Sequence, residues 1–368
     1  MKTLRRLFYG EVIVAVALVT LGFIALFFFF DFVDELQAVG RHSATGYNIP
    51  KALLYVALMA PSHIYELFPI TVLIGTIFVM ARFAQSSEFT ILRTSGLGPW
   101  RALQTLLTLG VSFVIITFAI GDYVAPLADK TAQLLKAQFS GNVTVGKTGA
   151  WLKEKQAYAH YAINVGSLSA QADMKDVRIY EFDNHGSMVS TTQGKAAKFG
   201  EDDSWLLEQV ERTEFAAGDA KSAGIERTFM ETFRWPTQVS AEMVAAAVLR
   251  PERMGTIDLF QYMRHLNANG QAAQKYEIQF WKKVFYPLSC LVMVVLALPF
   301  AYLHFRSGGI ASYVFGGVMA GISFVLLNNV LGDLGALQGW QPWLTAALPG
   351  LIYSVASLSA FTWLVIRR

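Results

Sequence analysis

VIVAVALVTLGFIALFFFF, Val12 to Phe30, holds nineteen residues without a charge. A helix needs roughly 20 mostly apolar residues to cross the hydrocarbon core of a bilayer, and this run meets that requirement. Uncharged runs of that order recur at Ala102 to Gly121, Val284 to Leu303, Ser307 to Gly332 and Leu334 to Ile366. Leu67 to Ala81 is short by itself, but Ala52 to Tyr65 continues it with only His63 and Glu66 as titratable interruptions. That region reads as an interfacial helix bent near Pro61 and running into a second span. Six spans result, three before and three after a polar middle of Asp122 to Lys283.

Composition agrees. Over 368 residues the chain is 54% hydrophobic and 15% charged, with a mean hydropathy of +0.40, values that favour a membrane protein over a soluble one. A net charge of +3, scattered along the chain, excludes a typical nucleic-acid binder. The single cysteine, Cys290, forms no intrachain disulfide and leaves the compartment open. The first apolar run is long and lacks an A-x-A-like end, so it reads as an anchor rather than a cleaved signal.

Six spans put both termini on one side, and the Lys and Arg count of the short loops says which. One face carries Lys2, Arg5, Arg6, Arg82, Arg93, Arg101, Arg306, Arg367 and Arg368; the other carries only Arg41 and Lys51. The termini are therefore expected in the cytoplasm and the polar middle outside.

GNVTVGKT, Gly141 to Thr148, matches the phosphate-binding pattern G-x-x-x-x-G-K-[ST]. A working loop of this kind follows a buried strand and opens a helix. Here LADKTAQLLKAQF before it reads as a helix continuing from the third span, AWLKEKQAYAHYAINV after it reads as strand, and the expected side holds essentially no ATP. The motif reads as a turn leading into a β domain.

From Lys147 to about Gln238 the pattern becomes short alternating stretches, AYAHYAINV, DVRIYEFD, SMVSTT, AAKFG and SWLLEQVERTEF, separated by turn clusters such as DNHG and GEDDS. This predicts an antiparallel β domain with a two-sheet or barrel core, unsupported by disulfides. Thr256 is positioned to cap a helix through LFQYMRHL, and a further helix from about Ala272 leads into the fourth span with Trp281, Lys282 and Lys283 as membrane anchors. His160, His185 and His265 lie far apart, and neither H-x-x-x-H nor H-E-x-x-H spacing occurs, so a metal hydrolase has no support. The chain is read as not an enzyme. The expected units are residues 1–140 with spans one to three, 141–240 with the β domain, and 241–368 with a connecting helix and spans four to six.

Between spans two and three runs RFAQSSEFTILRTSGLGPWRA. Ser86 or Ser87 caps a short helix there, Glu88 favours its first turn, Phe89, Ile91 and Leu92 give it an apolar side, and Gly96 ends it. On these residues alone it is either an ordinary turn lying on the membrane or a coupling helix seated in a soluble motor protein.

Together with DFVDELQAVG closing span one, SSEFTILRTSGLG, IGDYVAP ending span three and YEIQFWKKVFYPLS entering span four, the chain resembles the LptF/LptG permeases over essentially its whole length. Its FVD-x-L segment is nearer the G-type branch. The resemblance implies an α-helical polytopic membrane protein of six transmembrane helices with an inserted periplasmic, all-β, jellyroll-like domain, in the inner membrane of a Gram-negative bacterium. It further implies a lipopolysaccharide-exporting ABC transporter whose partners are an LptF-like permease, an LptB-like ATPase dimer that holds ATP and Mg²⁺, an LptC-like single-span protein and an LptA-like bridge, with no cofactor bound by this chain. Ser87, Glu88, Phe89, Leu92 and Arg93 would then meet the ATPase. Arg41, Lys136 and Asp34 would form the rim facing the lipid's phosphates. Asp31 and Gln133 stand where the family has basic residues, and Gln37 and Ala38 replace a basic pair. Phe27, Phe30, Phe324 and Leu327 would line the cavity for acyl chains.

Within the spans Glu66, Asn328, Asn329 and Asp333 are the polar exceptions. So few charges at membrane depth argue against a proton-coupled secondary transporter; a non-transporting scaffold presenting the β domain is the other alternative.

Overall fold

A computed structural model describes residues 2–42, 46–86, 99–140, 149–156, 159–168, 173–200, 204–215, 224–237, 239–240, 243–244, 251–302 and 310–366. Among the described residues six helices are long and apolar enough to cross a membrane: Phe8–Arg41, Ile49–Gln85, Trp100–Lys136, Gln274–Phe300, Ala311–Gln338 and Pro342–Trp363. The elements carrying them are α1 (Lys2–His42), α2 (Ile49–Gln85), α3 (Pro99–Ala119) continued by α4 (Ala125–Ser140), and, after the β domain, α6 (Gln274–Phe285), α7 (Ser289–Ala297), α8 (Ile310–Gln338) and α9 (Pro342–Ile366). Between the third and fourth spans lie strands β1 (Ala150–Lys155), β2 (His160–Leu168), β3 (Met174–Phe182), β4 (Met188–Phe199), β5 (Ser204–Phe215) and β6 (Ile225–Pro236), then helix α5 (Thr256–Ala268). The chain forms two compact units, Met1–Asp34 with Val56–Ala128 and Glu277–Arg368, and Glu35–Tyr55 with Asp129–Tyr276.

Two boundaries differ from the sequence reading. Pro61 and Pro69 both lie inside the unbroken α2, so there is no separate interfacial helix. Backbone groups freed by proline inside a span are satisfied by neighbouring helices, which the apolar pattern does not reveal. Span five likewise continues through Asp333 to Gln338, where Gly339 at φ +68° ends it and the Trp340 N–H donates to the Gly335 carbonyl at 3.0 Å. A left-handed glycine stops a helix more effectively than one charged residue near its end.

The helical unit packs around Val12 and Val16 of α1, Val72, Val79, Met80 and Phe83 of α2, Leu106 and Phe113 of α3, Cys290 and Val294 of α7, and Phe361 of α9. At the α1–α2 crossing a Cβ on Gly75 would come within 2.8 Å of the Val16 Cα, and Thr20 donates to Thr71 Oγ1 at 2.8 Å beside it. Lipid tails are as apolar as leucine, so close backbone approach and such hydrogen bonds hold helices together.

In the other unit the six strands form one antiparallel sheet in the order β1-β2-β3-β4-β5-β6, in place of the expected two-sheet or barrel core. AWLKEKQAYAHYAINV divides into β1 and β2, SMVSTT and AAKFG fuse into β4, and β6 is a strand the pattern missed. Leu152, Ile163, Val165, Val177, Ile179, Leu207 and Val210 are all buried. At the β3–β4 turn Asp183 Oδ1 accepts the His185 and Ser187 N–H groups at 2.8 Å each, and these bonds hold its carboxyl below the usual carboxylate range. On β1 the Lys155 N–H donates to Asn269 Oδ1 at 2.8 Å, so that edge is covered by the turn after α5. Helix α5 buries Leu259, Tyr262 and Leu266 along one stripe, and its N-cap is Gly255 rather than Thr256. Burial also holds the imidazole of His265, in the last turn of α5, below its ordinary range.

Trp205 anchors this unit. It is fully buried, lies 5.3 Å from the Trp235 ring centroid, and donates its indole N–H to the Val239 carbonyl at 2.9 Å. Trp205→Ala is expected to cost about 3–5 kcal/mol, the range for deleting a buried aromatic. Thermal unfolding of the detergent-solubilised chain, with proteolysis of the β domain as readout, measures it; an unchanged midpoint would contradict this core.

Candidate functional site

The C-terminal end of α1 sends successive side chains to different surroundings. Phe27 and Asp31, four apart, share a helix face; His63 of α2 places Nε2 2.6 Å from Asp31 Oδ2 and its ring 5.2 Å from that of Phe27. An acid stands where the family resemblance led us to expect a lysine, and the structure supplies its partner.

A second cluster belongs to the other unit. Glu35 is buried. Its Oε1 accepts the Tyr47 hydroxyl at 2.9 Å, and its Oε2 accepts Lys136 Nζ at 2.8 Å. The lysine also lies over the Tyr55 ring, 4.5 Å from the centroid. Nearby, Lys51 Nζ donates to the Gly46 carbonyl at 2.7 Å and lies 4.0 Å from the Phe139 centroid, and the Phe139 ring in turn packs 5.4 Å from that of Tyr47. Ion pairing and cation–π contact thus orient two lysines.

Of the expected rim residues, Lys136 is engaged by Glu35, a residue the sequence reading did not single out. No local signal could have found it, because the two lie 101 positions apart. Asp34 is exposed, and Arg41 is exposed with its Nε 3.4 Å from the Gln37 carbonyl. Among the expected cavity residues, Phe30 is exposed, Phe27 packs half-buried on His63, and Leu327 is half-buried. Phe324 is a correction. It is only 2% exposed, sits among Leu73, Ile77, Met293 and Ala297, and meets the Tyr353 ring at 5.2 Å. It therefore packs the helical core rather than lining a cavity.

Lys283 is a second correction. Read as a membrane anchor, it is buried and donates to the Gly121 carbonyl at 2.9 Å. Gly121 lies in a π-helical segment, Ile120–Val124, that joins α3 to α4. Such a segment releases carbonyls from the helical ladder, which gives a buried ammonium an acceptor and keeps it from the lipid interface.

Apolar side chains stay exposed on α1 at Leu18, Leu21, Phe29 and Phe30, and on α8 at Phe315, Met319, Leu326 and Val330. Among the described residues no three His, Cys, Asp or Glu side chains converge to hold a metal. Ser87, Glu88, Phe89, Leu92 and Arg93, and the motif Gly141 to Thr148, lie outside the described residues. Described neighbours frame the loop: Arg82, in the last turn of α2, pairs with Glu11 at 2.7 Å, and Trp100 at the start of α3 meets the Phe361 ring at 5.7 Å.

Fold and side chains together define a multi-pass helical membrane protein with an inserted antiparallel β domain. The family model of the lipopolysaccharide export system permease LptF/LptG matches residues 6–365, and the chain belongs to that family. It is similar to the lipopolysaccharide export system permease protein LptG of Escherichia coli K12, at 27% identity over 340 residues, 92% of this chain and 90% of that protein. The LptG of Haemophilus influenzae Rd is 25% identical over 370 aligned residues, covering 100% of this chain and 99% of that protein.

Proposed function

We propose that this chain is one transmembrane half of an ABC transporter that extracts lipopolysaccharide from the outer leaflet of the inner membrane and passes it to a periplasmic bridge. The observation that carries this is that, of the described spans, α1 and α8 are the least covered and leave apolar side chains exposed, in a chain of this family. A second, LptF-like six-span subunit facing them encloses an apolar cavity. Each buried CH₂ is worth about 0.8 kcal/mol, so lifting a multi-chain lipid is steeply uphill unless apolar surface continues along its path. The β domain, with an LptC-like protein and an LptA-like bridge, supplies that surface. Both termini lie in the cytoplasm and the β domain in the periplasm, following the excess of Lys and Arg on one set of loops.

Energy comes from a cytoplasmic LptB-like dimer that binds ATP and Mg²⁺ and engages Ser87 to Thr94. Reconstituting this chain with its second six-span subunit and the ATPase in vesicles tests the reading: lipopolysaccharide should leave the bilayer only with hydrolysable ATP. Release driven by a proton gradient without ATP would favour a secondary transporter, and no release under either condition a scaffold. In the same system Lys147→Ala should leave ATP hydrolysis unchanged, because GNVTVGKT lies on the side opposite the ATPase. Loss of hydrolysis with the complex assembled would overturn that orientation.

A further inference from the structure

The Glu35–Lys136 pair is asymmetric. The carboxylate side chain is 8% exposed and the lysine side chain 38%, so the negative charge is fixed inside while the positive one reaches solvent. The Tyr47 hydroxyl holds the other carboxylate oxygen at 2.9 Å, which keeps Glu35 from following the lysine when the ammonium turns outward. The Tyr55 ring covers another side of Lys136. An anion that reaches Lys136 from solvent therefore meets an ammonium already neutralised from behind, and the opposing carboxylate subtracts from the attraction at short range.

We propose that Glu35 is a specificity-determining counter-charge: it keeps the hold of Lys136 on a phosphate of the transported lipid weak enough for the lipid to move on. A transport site must bind firmly enough to admit its substrate and loosely enough to release it, and a bare half-exposed lysine facing a phosphate satisfies only the first condition. The inference rests on the reading of Lys136 as a phosphate contact, and the experiment separates the two.

In the reconstituted transporter, KM and kcat for lipopolysaccharide export are compared for wild type, Glu35→Gln, Lys136→Gln, the double variant and Tyr47→Phe. Glutamine keeps the shape and the bond to Tyr47 but removes the charge. Glu35→Gln should lower KM by about fivefold and lower kcat by a similar factor, while the double variant should match Lys136→Gln, with KM raised about tenfold. With the same lipid stripped of its phosphates, Glu35→Gln and wild type should coincide. Tyr47→Phe keeps the charge but frees Glu35 to follow the ammonium outward, so it should raise KM, opposite in sign to Glu35→Gln. A normal KM in Lys136→Gln overturns the phosphate contact itself. If Lys136→Gln behaves as expected but Glu35→Gln raises KM, leaves both constants unchanged, or acts equally on the dephosphorylated lipid, the counter-charge role fails. It also fails if Tyr47→Phe reproduces Glu35→Gln, because a loosened fold would then explain both.

Discussion

On the proposed coupling-helix reading, Glu88→Ala is expected to lower the affinity of the assembled membrane subunits for the cytoplasmic ATPase by about 100-fold or more, with lipid export falling alongside. Glu88 falls between α2, which ends at Gln85, and α3, which begins at Pro99. A connection of this length accommodates one short helix and its turns, and SSEFTILRTSG has the cap, the acidic first turn and the terminating glycine to form one. On that reading the carboxylate sits in a groove of the motor, cut off from water, and needs a cation from the partner. Arg82, six residues before it, is already paired with Glu11. Truncating one member of a buried ion pair leaves the other charge uncompensated, a loss of about 3–5 kcal/mol. Titrating the ATPase onto the detergent-purified pair of six-span subunits measures the affinity, and vesicle export measures coupling. Restoring binding to Glu88→Lys with an acidic substitution in the motor's basic residue would locate the contact directly. An unchanged complex with normal export would remove the coupling-helix assignment.

Five of the spans were legible because each holds a long uncharged run, and length alone separates such runs from soluble helices; the second was read only by joining two shorter stretches across His63 and Glu66. Their ends were less so: the uncharged run of the fifth span stops at Gly332, but its helix runs through Asp333 to Gln338, since a residue near the end of a span can carry a charge without breaking the helix. In the β domain, strands with one buried face showed their alternation. β6 hid because it is the last strand of the sheet and is exposed at nearly every position, so the alternation of Ile225, Phe229, Phe233 and Trp235 is broken by the charged Arg227 and Glu231. The candidate site was legible at Lys136 through family resemblance, but its partner Glu35 comes from a helix a hundred residues earlier. Phe324 and Lys283 were misread for one reason. Residue type predicts preference for cavity or interface, whereas burial depends on which neighbouring helix arrives, and only the tertiary structure contains that.

Gly121→Leu is expected to cost at least about 3 kcal/mol in the stability of the helical unit, the upper end of what an overpacked core loses. Gly121 is buried in the π segment, and a Cβ there would overlap the Tyr65 ring. The ring has little room to retreat: the Tyr286 ring lies 5.2 Å from it, and Lys283 Nζ lies 5.9 Å from its centroid. Backbone movement is opposed as well, because the Gly121 carbonyl accepts a hydrogen bond from buried Lys283 and withdrawing it costs that bond. Thermal unfolding in detergent should show Gly121→Leu melting far below wild type and Gly121→Ala intermediate. The cause is steric only if space restores stability, so Gly121→Ala combined with Tyr65→Ala should be markedly more stable than the sum of the two single losses requires. Strict additivity would place the cost in the α3–α4 backbone instead, with the π segment's conformation demanding glycine whatever stands opposite.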